Sequence, residues 1–220
     1  MLSTYAVRGC YWHIYEPTIV LQDYTSCHDP HQHRIITPTE SPTLLLPAVM
    51  DLNPLLRYSQ HDIVPGNCAP ILWDLRESPK TSALHIDNPD EQLSPSDLSQ
   101  PATIPPCQVL RITCDVFPEP WPIEVSRPVT ITVGDVLHTI HSVVNRRITQ
   151  QEWDRLSDKQ QARIGEKFDD RCKLSPQREE CRANGVLRVD CVLSHTLFAG
   201  LSASPDEDDN FFIMTLRRPQ

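Results

Sequence analysis

The apolar positions of this chain fall into short periodic runs that begin near Leu44 and end near Leu216. Ala48 to Leu52 predicts a strand ended by Asn53-Pro54, and Pro70 to Leu75, apolar at Ile71, Leu72, Trp73 and Leu75, predicts a second closed by Ser78-Pro79. Gln108 to Asp115 and Trp121 to Ser126 predict the two strands of a hairpin. Alternation places Leu110, Ile112 and Cys114 on its core face and Val109, Arg111 and Thr113 on the other. Val129 to Thr132 adds a further short strand.

At Thr132 the period changes. Thr132 with Asp135 at the third helical position forms a capping-box pattern, and Val136, Leu137, Ile140, Val143 and Val144 recur as one helical stripe. Thr149 to Glu152 is a second capping box, with Trp153 and Leu156 turned inward. Ser157 to Gln160 is a third, so the stretch to Cys172 predicts one kinked helix or two in succession. Ser175-Pro176 starts a short helix that Gly185 ends, with Pro at the first helical position. Val186 to Leu193 reads as a strand, and Asn210 to Leu216 as the last, entered through the acidic turn Asp206 to Asp209. Strands before, between and after clustered helices predict the α+β class: a small, mostly antiparallel sheet with helices inserted between the hairpin and the C-terminal strands.

Outside these runs the composition changes the picture. Residues 1–43 mix aromatic residues with turn formers and hold neither period, which predicts an irregular N-terminal extension to a single domain at 44–217. Residues 85–106 are rich in Asn, Asp, Ser and Pro and predict a long surface loop, because they offer little apolar area to offset ordering entropy. The 220 residues carry 20 Lys and Arg against 29 Asp and Glu, a net charge of −9. Such a balance disfavours nucleic acid as a partner, which needs a basic face to displace counterions. Arg146 with Arg147 and Arg217 with Arg218 read as solvated element ends. The first twenty residues hold no uninterrupted apolar stretch for a signal peptide, and no segment approaches membrane-spanning length. The 8 Cys are accordingly expected to be mostly reduced thiols of a soluble intracellular protein, cytoplasmic or nuclear, several of them buried as small apolar side chains. With 6 Gly against 21 Pro, the chain has neither a Gly-rich phosphate loop nor a Gly-x-Ser-x-Gly elbow, and no cofactor is implied.

Several segments stand in a telling order: Asp51-Leu-Asn-Pro-Leu-Leu56, Leu72-Trp-Asp-Leu-Arg76, Pro101-Ala-Thr103, Trp121-Pro-Ile123, Val129 to Leu137, Gly185 to Asp190 and Phe198-Ala-Gly-Leu201. Together they resemble an uncharacterised domain of mushroom-forming (basidiomycete) fungi, domain of unknown function 6699, over residues 44–217. The resemblance implies a fungal source and one domain. It carries no activity over to any residue and leaves 1–43 outside.

Three groups of residues invite a chemical reading. Cys27, His28, His31 and His33 gather metal-ligating side chains in one turn-rich segment, yet no Cys-x-x-Cys pair completes a zinc site, and a His-rich tract is more simply solvated. Asp135, His138 and His141 follow at three-residue steps. At about 100° per residue, His138 falls opposite the apolar stripe and His141 at its edge, so they are not a ligand set. Arg188 and Asp190 share one face of the strand expected there, with His195 close behind; they could serve anion binding or acid–base work, or form a structural ion pair. Trp73 is expected to fill the core beside Asp74 and Arg76, with its indole N–H on a carbonyl or on Asp74, and Trp121 between two prolines to anchor the hairpin. Trp73, Arg76 and Trp121 could instead line a peptide groove. The leading functional expectation is a non-catalytic interaction or scaffold domain whose partner is another protein. The alternative is a small hydrolase or transferase using Arg188, Asp190 and His195. A deep pocket with convergent titratable groups would favour the enzyme, a flat apolar patch the partner.

Overall fold

The computed structural model describes residues 50–58, 70–204 and 210–219. The expected N-terminal extension, the first two residues of the Ala48–Leu52 strand and the acidic turn at 206–209 lie outside the described residues. In chain order the elements are β1 (Asp51–Leu52), β2 (Ile71–Leu72), α1 (Pro79–Ser82), β3 (Leu84–His85), β4 (Asn88–Gln92), α2 (Pro95–Leu98), β5 (Thr103–Ile104), β6 (Val109–Thr113), β7 (Ile123–Ser126), α3 (Val133–Val144), α4 (Gln150–Asp154), α5 (Asp158–Leu174), α6 (Arg178–Asn184), α7 (Arg188–Cys191), β8 (Leu197–Ala203) and β9 (Phe211–Arg217). The class is α+β.

The main sheet has the order β7-β6-β9-β8. The hairpin pairs β6 with β7 in the register Leu110↔Val125 and Ile112↔Ile123, and the inward set Leu110, Ile112 and Cys114 is buried. β9 then inserts between β6 and β8, parallel to the first and antiparallel to the second. Its Phe212, Met214 and Leu216 face the core while their neighbours are only half-buried, the period-two pattern of a strand covered mainly on one side. Two smaller sheets, β1-β5 and β2-β3-β4, attach at the edges. The second is tied to β8 by Phe198 N–H to Trp73 C=O at 2.9 Å.

α3 forms where its cap and stripe agree. Thr132 Oγ1 accepts Asp135 N–H at 3.1 Å, and Asp135 Oδ2 accepts Thr132 N–H at 3.0 Å, which satisfies two otherwise orphaned donors. Val133, Val136, Leu137, Ile140, Val143 and Val144 are buried, each contributing about 1.5–3 kcal/mol by area. Trp73 stands at the centre of the core, its ring 6.0 Å from that of Phe198 and its indole N–H donated to Glu77 C=O at 2.9 Å. The two further capping boxes open two separate helices, α4 at Thr149 and α5 at Ser157.

Four expectations give way. Residues 85–106 hold β4, α2 and β5 as well as the end of β3, because local devices replace apolar burial: Ser94 and Asp97 build a capping box around Pro95, and the wholly exposed β4 is held by backbone pairing to β3. Residues 129–132 form no strand, only a bridge at Pro101↔Thr132, with Ala102 N–H on Ile131 C=O at 2.8 Å. Pro176 precedes α6 instead of opening it, although Gly185 does end that helix at φ 72°. The stretch 186–193 contains the helix α7, not a strand: Asp190 Oδ2 accepts Leu187 N–H at 2.9 Å, a cap that the apolar alternation of Leu187, Val189 and Cys191 disguised. One strand, β8, carries no period-two signal at all. Phe198 to Leu201 is buried on both faces, and Gly200, at φ 128°, lets the backbone of Tyr58 approach within 2.6 Å of where a Cβ would stand.

Candidate functional site

The polar centre of the molecule is built by the C-terminal turn of α5. Arg171 donates from Nε to Asp190 Oδ1 and from Nη2 to Asp190 Oδ2, both at 2.8 Å. Its Nη2 also reaches Gly185 C=O at 2.9 Å and its Nη1 reaches Cys181 Sγ at 3.0 Å, so one guanidinium joins α5, the end of α6 and α7. Hydrogen bonding to Asp190 outweighs burial and raises the Arg171 pKa. Asp190 is 4% exposed and also caps α7, so both of its oxygens are engaged.

A second bidentate pair lies nearby. Arg76 donates to Asp74 through Nε at 2.9 Å and Nη2 at 2.7 Å, and Thr196 Oγ1 donates to Asp74 Oδ2 at 3.1 Å. Burial opposes the Asp74 charge, but the bonds from Arg76 outweigh it and hold the carboxyl below its ordinary value. Between these pairs opens a cleft of about 520 Å³ lined by Arg76, Glu77, Asn145, Arg171, Glu180 and Cys181 among others. A second depression of about 270 Å³, reaching Lys167, Asp190 and Thr196, shares Arg76, Arg171 and Leu174 with it. Leu174, 81% exposed, stands as an apolar knob on the rim common to both.

The residues singled out in the sequence are dispersed. Arg188 does not pair with Asp190: on a helix the two no longer share a face, and Arg188 Nη2 instead meets Glu152 Oε1 at 2.9 Å while its guanidinium lies 4.8 Å over the Trp121 ring. Glu152 thereby serves twice, as the cap of α4 and as the anchor of α7. Burial opposes its charge, yet bonds from Thr149 and Arg188 keep its pKa low. His195 accepts from Arg218 Nε at 3.3 Å, a third separate partnership. Trp73 and Trp121 are both buried, so neither ring faces a groove, whereas Arg76 does line the cleft. His138 is exposed and His141 half-buried with its ring 6.5 Å from that of Trp73; burial and the neighbouring His138 lower the His141 pKa. Cys27, His28, His31 and His33 lie outside the described residues. Among the described residues no group of three His, Cys, Asp or Glu is placed to hold a metal ion. Arg171 and the pair Cys172 and Cys181, unmarked by any motif, are what the sequence did not reveal.

The small mixed sheet with its helical insertion and the paired-arginine cleft define an α+β domain. The chain belongs to the Family of unknown function (DUF6699), whose profile matches residues 71–209. No curated protein and no solved structure matches it. Among the described residues no helix is long and apolar enough to cross a membrane.

Proposed function

We propose that this domain is a non-catalytic interaction module that docks another protein on the rim and cleft formed by Arg76, Arg171 and Leu174. What carries the reading is the juxtaposition of an 81% exposed leucine with two arginines already fixed by carboxylates. A partner segment that covers Leu174 removes apolar area from water, and Arg76, with 46% of its side chain in solvent, retains donors for that segment's carbonyls or carboxylates. Pre-paired arginines lose little freedom on binding, which suits recognition. The resemblance of the ordered segments further supports placing the module in a protein of a mushroom-forming fungus. A second reading, a small hydrolase or transferase, draws on the convergence of Arg76, Glu77, Arg171 and Glu180 around the cleft. It has less support, since Arg188, Asp190 and His195 go to three separate partnerships and Asp190 has both oxygens engaged.

A photo-activatable side chain at position 174 is expected to capture one discrete protein from extracts of the source cells, and the same group at Glu124 on β7 is not. Leu174→Asp should abolish binding of that protein without moving the Tm. Equal capture from both positions, or unaltered binding by Leu174→Asp, would overturn the docking face.

A further inference from the structure

We propose that Cys172 and Cys181 are a thiol–disulfide exchange site that closes a reversible disulfide between α5 and α6 on reaction with a small-molecule disulfide entering the polar cleft. The two sulfurs are 3.1 Å apart, with the Cys172 S–H donated to Cys181 Sγ. A disulfide bond of about 2.05 Å needs them to close by only about 1 Å. The helices that carry them are joined by residues 175–177 alone, so the approach is a small rotation of α6 on its short tether.

The two thiols are not equivalent. Cys172 is fully buried, whereas Cys181 lines the cleft of about 520 Å³ and is 8% exposed. Cys181 also receives the Arg171 Nη1 donor at 3.0 Å, so a fixed positive charge faces the sulfur that meets an incoming reactant. Burial, with the neighbouring Cys181, holds the Cys172 thiol above its ordinary pKa, in keeping with its role as the donor of the S–H contact. Cys114 and Cys191 are buried away from this cleft's lining, and burial pushes their thiols up to about 11 and about 12.

The order of events follows. The Cys181 thiolate attacks one sulfur of the small disulfide; that S–S bond breaks, one small thiolate leaves, and a mixed disulfide stands on Cys181. Cys172 then loses its proton and attacks Cys181 Sγ, forming the protein disulfide and expelling the second small thiolate. Two protein thiols are oxidised by two electrons, the small disulfide is reduced to two thiols, and the two protons pass to them. Closure fixes α6 against α5 and replaces the thiol contacted by Arg171 with a weaker acceptor, so the cleft wall changes with redox state.

The test uses the full chain, folded and reduced, titrated with oxidised and reduced glutathione, quenched in acid and mapped by non-reducing trypsin digestion. The expected product joins the peptide Cys172-Lys173 to the peptide Glu179–Arg182 with loss of two hydrogens, roughly tenfold above any other cysteine pair. Cys172→Ser should accumulate one glutathionyl group on Cys181 that does not resolve, Cys181→Ser should leave Cys172 unmodified, and oxidation should raise the Tm of the unaltered chain alone. The mapping on the unaltered chain stands even where a variant fails to fold. Linkage of Cys172 with Cys181 at no more than the level of other pairs, or the same level in urea as in buffer, would overturn the proposal, as would glutathionylation of Cys172 in Cys181→Ser.

Discussion

At the scale of single residues, the decisive groups are carboxylates whose bonds are all internal. Asp190 holds Arg171 bidentately and caps α7, and with its side chain 3% exposed against 19% for Arg171 the pair is largely shielded from water. Removing one partner of such a pair strands the other charge, so Asp190→Asn is expected to cost about 3 kcal/mol in urea denaturation. Arg171→Met added to Asp190→Asn should recover part of that loss, and Arg188→Met should recover none, since Arg188 belongs to Glu152. The carboxylates of Asp74, Asp135 and Glu152 have folded-state pKa values held below their ordinary ones. For Asp135 burial opposes the charge, but the Thr132 N–H and hydroxyl and the Arg127 guanidinium at 2.7 Å outweigh it. A lowered carboxylate pKa stabilises the fold at pH above the unfolded value, and that contribution fades as pH falls through the folded one. The Tm should therefore drop on acidification from the ordinary carboxylate range downward, and Asp135→Asn should lower the neutral-pH Tm while flattening that acid limb.

At the scale of elements, what could be read in advance was whatever is fixed locally. α3 is legible because its cap, Thr132 with Asp135, and its stripe lie within the same turns. Ile140→Asp is expected to cost about 4 kcal/mol or more, enough to unfold the domain, because Ile140 is fully buried; His138→Ala, on the exposed face, should leave the thermal melt unchanged. The hairpin is legible for the same reason, since β6 alternates against one core face. β8 is not, because burial on both faces erases the alternation, and β4 is not, because it buries nothing and is held by backbone pairing to β3 and by Gln92 Nε2 on Thr81 C=O. α7 misled through coincidence: three apolar residues at a spacing of two imitate a strand, while the Asp190 cap that decides for helix has the form of an isolated acidic residue. The candidate site suffered from that error, since assigning Arg188 and Asp190 to one strand face paired the wrong residues. Arg171 was invisible because nothing within α5 distinguishes it from the helix's other charged residues. Its role comes from contacts 10 to 19 residues away in sequence.

At the scale of the whole molecule, the topology makes the ends of the domain indispensable to its middle. β9 separates β6 from β8, so the main sheet has no continuous backbone ladder until residues 211–217 are in place. Leu52 and Leu56 enter the same core from the other end, and Tyr58 N–H is bonded to Leu201 C=O at 2.8 Å. The family profile, by contrast, spans only residues 71–209 and therefore omits both β1 and β9. A fragment cut at those borders leaves one side of β6 and one side of β8 without partners and exposes part of the shared core. It is expected to lack a cooperative melt. A fragment of residues 44–217 keeps every named strand and helix and is expected to melt cooperatively at the Tm of the full chain, as circular dichroism would show. Limited proteolysis of the full chain should correspondingly clear the first forty or so residues while sparing the peptide bonds of α3. Cleavage within Asp135–Arg147 as fast as that near the N-terminus, or a cooperative melt from residues 71–209 alone, would mean that the core closes without the strand that completes its sheet.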